Sequence, residues 1–170
     1  MTHYLEVDYR RESLCQIILG LEKSIGYLKS KLELKGWYDG LWFLEESEPI
    51  YGLAFIAFQN YVNGSIKDFY DTTKNKISFY KLGTAPENFS KSYIELIIVL
   101  ANFIKHKDDG LNEMTKQILE AFNFTEYDEI DKSPIFGGLD LLDEKWNLVN
   151  IMRQVFIWRQ ELLEGYKHSL

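Results

Sequence analysis

The sequence predicts an all-α, single-domain bundle of about five or six helices. Three observations lead there. Apolar residues recur at three-and-four spacing along most of the chain, no stretch shows strict alternation closed by hairpin turns, and the apolar segments are separated by Gly, Pro, Asn and Asp. The chain has 170 residues, 46% of them hydrophobic and 15% aromatic, which is enough apolar volume for one well-filled core over residues 1–170. There is no internal repeat or low-complexity linker to divide it.

From Asp8 to about Leu34, the residues Leu14, Ile17, Ile18, Leu21, Ile25, Leu28 and Leu32 describe one amphipathic helix. Gly20 and Gly26 weaken it and are expected to permit a close crossing or a bend. The segment KGWYDGLWFLEESEP, 35–49, combines Gly36, Gly40 and Pro49 with four aromatic residues and predicts a loop with at most a short helical turn. Pro49 suits the first turn of a second helix, which runs through Tyr51, Phe55, Phe58, Val62, Ile66 and Phe69 to about Asp71.

A polar connection, 72–86, holds a short helix or extended piece around Ile77 to Leu82. A third helix starts between Pro86 and Ser90 and continues to Lys107, apolar on nearly every face from Ile94 to Leu100. LNEMTKQILEAFNF, 111–124, predicts a fourth helix, and the acidic 124–134 a loop. IFGGLDLL is short and interrupted by Gly137 and Gly138, after which a long helix resumes through Trp146, Val149, Met152, Phe156, Leu162 and Leu163. The third helix and this last one are expected to form the core.

The net charge of -7 leaves no electrostatic footprint for direct nucleic-acid binding and favours a basic partner. Cys15 is the only cysteine, so no internal disulfide can form, and its neighbours Leu14, Ile17 and Ile18 predict a buried, inert thiol. With no apolar signal core and no membrane-length apolar run, a cytoplasmic location is expected.

Few residues point to chemistry. His3, His106 and His168 lie far apart, no Cys or His pair has zinc spacing, and no phosphate loop, dinucleotide fingerprint or nucleophile elbow occurs, so neither metal nor cofactor is expected. Asn102 and His106 are four apart and share a helix face, where they could meet one ligand and the histidine could move a proton. The ordinary alternative is an asparagine satisfying backbone groups and a histidine at a helix C-terminus.

Around Asn102 and His106 the chain resembles HEPN ribonucleases, which carry Arg, four to six residues, then His on a late bundle helix. Here Ala101 stands where the Arg would, so the group that holds the scissile phosphate is missing. The resemblance implies a degenerate member, an RNase or nucleotide-binding protein whose dimer would unite two half-sites. As a whole, and especially in LANFIKHKDD and SPIFGGLDLLDEKWNLVNIMRQVFIWRQELL, the chain also resembles small acidic helical immunity proteins of bacterial contact-dependent growth inhibition systems. That resemblance implies a protein that blocks the active cleft of a co-encoded toxin, often a nuclease of the EndoU type.

Three acidic clusters fall in predicted loops: Glu45, Glu46 and Glu48; Asp108 and Asp109; Asp128, Glu129 and Asp131. Their spacing lacks the ordered ligand series of a calcium loop, and solvated loop charge is the plain alternative. The preferred expectation is a non-enzymatic binding protein, an immunity protein or antitoxin, that neutralises a basic toxin such as a nuclease. Its interface residues would be Trp37, Tyr38, Trp42, Glu45, Glu46, Glu48, Asp108 and Asp109, with aromatic side chains as anchors and carboxylates giving orientation. Arg153 and Arg159 are expected in salt bridges or interhelical contacts before phosphate binding, and a purely structural subunit is a third possibility.

Overall fold

The computed structural model describes residues 6–72 and 74–169; His3 lies outside the described residues. Among them are seven α-helices and no strand. The helices are α1 (Arg11–Leu34), α2 (Gly40–Tyr70), α3 (Lys76–Tyr80), α4 (Tyr93–His106), α5 (Glu113–Ala121), α6 (Pro134–Leu142) and α7 (Leu148–Ser169), with a 3-10 turn at Ile130–Lys132 before α6. The all-α class holds, and the helix number rises to seven because α3 is a separate element and α6 is unbroken.

Helix α1 buries Leu14, Ile18, Ile25 and Leu28 and packs on α2 and α7. Two details differ from expectation. Gly20 and Gly26 lie on the solvent side with nothing within 4 Å of a Cβ built on either, so no close crossing depends on them. Ile17 is exposed and Cys15 only half-buried, because the helix shows the core a narrower stripe than its apolar content suggests.

The largest correction concerns 35–49. From Gly40 onward this segment is helix, not loop, and α2 runs for 31 residues with Pro49 in its interior. Asp39 starts it by accepting a hydrogen bond from the Trp42 backbone N–H at 3.0 Å, which satisfies one of the unpaired donors of the first turn. An interior proline removes one helical hydrogen bond and costs about 3 kcal/mol. Pro49 and Glu45 are both exposed, so the carbonyl left without a partner lies on the solvent-facing side. On the opposite side Phe43, Ser47, Glu48, Tyr51 and Gly52 are buried, and that packing offsets the cost.

Helix α2 is therefore the axis of the bundle. It packs against α1, α4, α7, α6, α3 and the 3-10 turn, with Phe55, Phe58, Val62 and Ile66 wholly buried between them. The expected core of the third and last helices is corrected accordingly: α4 and α7 both pack on α2. Tyr51 of α2, Phe136 of α6 and Trp146 ahead of α7 form an aromatic cluster, with ring centroids 5.2 to 6.3 Å apart.

Helix α4 starts at Tyr93, later than the expected 86–90, at a capping box. The Ser92 hydroxyl accepts from the Glu95 N–H at 3.0 Å, and the Glu95 carboxylate accepts from the Ser92 N–H at 2.9 Å. Every residue from Ile94 to Ala101 is buried, as the all-round apolar pattern predicts. Helix α6 stays intact through its glycines because they permit close approach. A Cβ on Gly138 would sit 2.3 Å from Leu100 Cδ1 of α4, and one on Gly137 would sit 2.5 Å from Phe124 Cε1.

On α7, Arg159 is buried, ion-paired with Asp8 at 3.5 Å and placed over the Phe69 ring, while Arg153 donates to Asn150 at 3.0 Å within its own helix. Among the described residues no helix is long and apolar enough to cross a membrane.

Candidate interaction site

The C-terminal end of α4, the first turns of α2 and the chain ahead of α6 meet at one place. They enclose a concavity of about 370 Å³ whose lining includes Glu45, Glu48, Asp108, Asp128 and Glu129. Each of the three acidic clusters contributes at least one of these carboxylates. Lys107 is the only basic residue in the lining. The floor is partly apolar, since Tyr127 packs edge-on against Phe103 at 5.6 Å and Ile130 lies beside them. Among the described residues no group of three or more His, Cys, Asp or Glu is placed to hold a metal ion; the acidic side chains line a cleft and do not close on a point.

One carboxylate of the cleft is part of the frame. Glu48 is buried, not exposed as expected, because α2 turns it inward. Its Oε2 accepts from Lys107 Nζ at the end of α4, and its Oε1 accepts from the Ser133 hydroxyl. Ser133 Oγ in turn accepts from the Ile135 N–H at 3.3 Å and caps α6. This chain of contacts ties α2, α4 and α6 around the cleft, while Glu45, Asp108, Asp128 and Glu129 keep exposed positions.

The aromatic residues divide in the same way. Trp37 and Trp42 are exposed, their rings edge-to-face at 6.2 Å. Trp42 and Glu45 are three apart on α2, so the aromatic pair lies one turn from the cleft, on the same face. Tyr38 is buried, against expectation, because it closes the turn between α1 and α2. Its hydroxyl donates to Glu46 Oε2 at 2.6 Å, and Lys31 Nζ reaches the same oxygen at 2.7 Å while lying over the Tyr38 ring. Burial and the Glu46 carboxylate push the Tyr38 hydroxyl up to about 12. The hydrogen bonds from Lys31 and Tyr38 hold the Glu46 carboxyl below the usual range. Glu46 is thus committed to an internal contact. Asp109 is exposed beside the cleft without lining it.

Asn102 and His106 are not brought together. Asn102 turns toward α2, where its Oδ1 accepts from Gln59 Nε2 at 2.9 Å. His106, at the end of α4, is exposed, and its side chain makes no hydrogen bond to the Asn102 side chain among the described residues. Ala101 is wholly buried, so the position the ribonuclease pattern gives to arginine faces the hydrophobic core.

Sequence reasoning flagged Asp128 and Glu129 as charge but omitted them from the interface, and it missed Lys107 and Tyr127. Their contribution depends on the fold of 122–133 beneath α4, which has no periodic signal. Comparison of the chain with protein-family models, curated protein sequences and solved structures finds no match.

Proposed function

We propose that this protein is a non-enzymatic binding protein that holds a basic protein partner in its acidic cleft, an inhibitor of the immunity or antitoxin type acting on a toxin such as a nuclease. One observation supports the reading above others: three acidic segments far apart in sequence converge on one concavity, with an exposed tryptophan pair on the adjoining helical turn. Clustered carboxylates steer a cationic partner toward the cleft and fix its orientation. Rigid, half-exposed aromatic rings then supply affinity by burial. A nuclease is a fitting partner because its own cleft is lined with cations that bind phosphates, and carboxylates presented on a stiff helical frame can occupy those positions.

The test uses the purified chain as bait, isolation of the basic protein it retains, and assay of that protein's nuclease activity as the chain is added. Silencing at one-to-one stoichiometry, weakened at least tenfold by Glu45→Lys/Asp128→Lys and by Trp42→Ala, is the expected result. A partner nuclease that stays fully active in excess chain defeats the proposal, as does inhibition indifferent to the charge reversal. If the chain itself cleaves RNA and His106→Ala abolishes cleavage without unfolding, the HEPN-like reading replaces this one.

A further inference from the structure

A second concavity lies on the other side of α4, and its chemistry is opposite. It has a volume of about 470 Å³, within the range of small-molecule sites, and is enclosed by α2, α3, α4 and α5. Four lysines line it, Lys76 of α3, Lys81 at the C-cap of α3, Lys91 ahead of α4 and Lys105 on α4, against one carboxylate, Glu95. That carboxylate is already engaged with Lys91 at 3.2 Å and with the Ser92 N–H. Among the described residues, Lys76, Lys81 and Lys105 have no carboxylate within ion-pair distance. In a chain of net charge -7, three ammonium groups gathered without counter-charge around a hollow are a local excess of positive potential. Burial and the neighbouring Lys76 lower the Lys105 ammonium below its ordinary value, the expected direction for a cation that lacks an anion.

The polar floor is ordered. Lys105 Nζ donates to Gln59 Oε1 at 2.5 Å, and Gln59 Nε2 donates to Asn102 Oδ1 at 2.9 Å. This orientation leaves the Asn102 amide N–H groups without a protein partner among the described residues. Ile77 and Met114 stand at the rim, both exposed, and Ile98 lies deeper. The hollow therefore offers unpaired cations, an oriented amide donor and an apolar wall.

We infer that this hollow is a binding site for a small phosphate-bearing ligand, with its phosphate groups among Lys76, Lys81 and Lys105 and its organic body, where it has one, against Ile77, Ile98 and Met114. The site is independent of the acidic cleft and does not rest on the toxin-binding reading. An ammonium–phosphate hydrogen bond is charge-assisted, so loss of two lysines weakens binding at least about tenfold.

Titration calorimetry with inorganic pyrophosphate, ADP and adenosine tests the site, using the full chain and a Lys76→Ala/Lys81→Ala variant. Neither lysine makes an internal ion pair, so the variant keeps its fold, with circular dichroism as the check. Binding of ADP and pyrophosphate but not adenosine, weakened at least tenfold in the variant and by added salt, is the expected result. Tighter binding of ADP assigns the apolar wall to an organic body; equal affinity assigns the site to a free polyphosphate. The inference is overturned if neither anion binds at millimolar concentration, or if both bind the variant as tightly as the parent chain.

Discussion

Lys107, at the C-cap of α4, forms a buried-side ion pair with Glu48 of α2, 59 residues earlier in the chain. The two ends of this pair are unequal. The Glu48 side chain is 6% exposed and the Lys107 side chain 32%. A lysine freed of its partner can swing into water, whereas a carboxylate freed of its partner stays buried.

Lys107→Met is therefore more destabilising than Glu48→Gln. The expected losses are about 2–3 kcal/mol for the former, discounted for partial solvation, and about 1–2 kcal/mol for the latter, which retains a polar partner for Ser133. Urea denaturation of both single variants and the double variant measures the difference, and the double variant should lose less than the sum. Equal losses, or the reverse order, would show that Glu48 has access to solvent.

The glycines separate into two kinds. Gly138→Ala forces a methyl group against Leu100 in the interface of α6 with α4 and should cost about 1–3 kcal/mol. Gly20→Ala meets open space on a solvent-facing helix and should stabilise by about 0.5–1 kcal/mol. Thermal midpoints moving in opposite directions are the expected outcome.

Acid stability should depend on Asp68. Burial tends to raise its pKa, but hydrogen bonds from Arg10 Nε at 2.9 Å and from the Tyr9 hydroxyl at 2.9 Å outweigh burial and hold it below the ordinary value of 3.8. A carboxyl depressed in the folded state contributes stability that is fully present above its unfolded pKa and lost as pH falls through the folded one. The loss accordingly begins near pH 4 and deepens below it. Asp143, whose burial is likewise outweighed by hydrogen bonds from the Asn147 N–H, Asn150 and the Lys145 N–H, acts in the same window. Asp68→Asn should lower stability at neutral pH and flatten the acid limb of a stability profile; a profile parallel to that of the parent chain contradicts the assignment.

Trp42→Ala should change folding stability by less than about 0.5 kcal/mol, because Trp42 is 52% exposed and its ring contact is with exposed Trp37. A larger loss in chemical denaturation would make the tryptophan pair structural and remove it from the proposed interface.

What the sequence determined by itself was local: helical periodicity, which follows from side chains three and four positions apart. It placed α1, the bulk of α2, the buried length of α4 and α7, because each carries its own apolar stripe. It also marked all three acidic clusters and the exposed tryptophans. Tertiary structure decided the remainder. Pro49 does not break α2 because packing on its buried side offsets one missing hydrogen bond, and Gly137 and Gly138 do not break α6 because α4 and Phe124 occupy the space a side chain would need. Glu48 and Tyr38 are buried, Asn102 faces Gln59 apart from His106, and carboxylates and lysines gather on opposite sides of α4. Such placements depend on how separate helices rotate and approach one another, and that is set by the sum of contacts over the whole core.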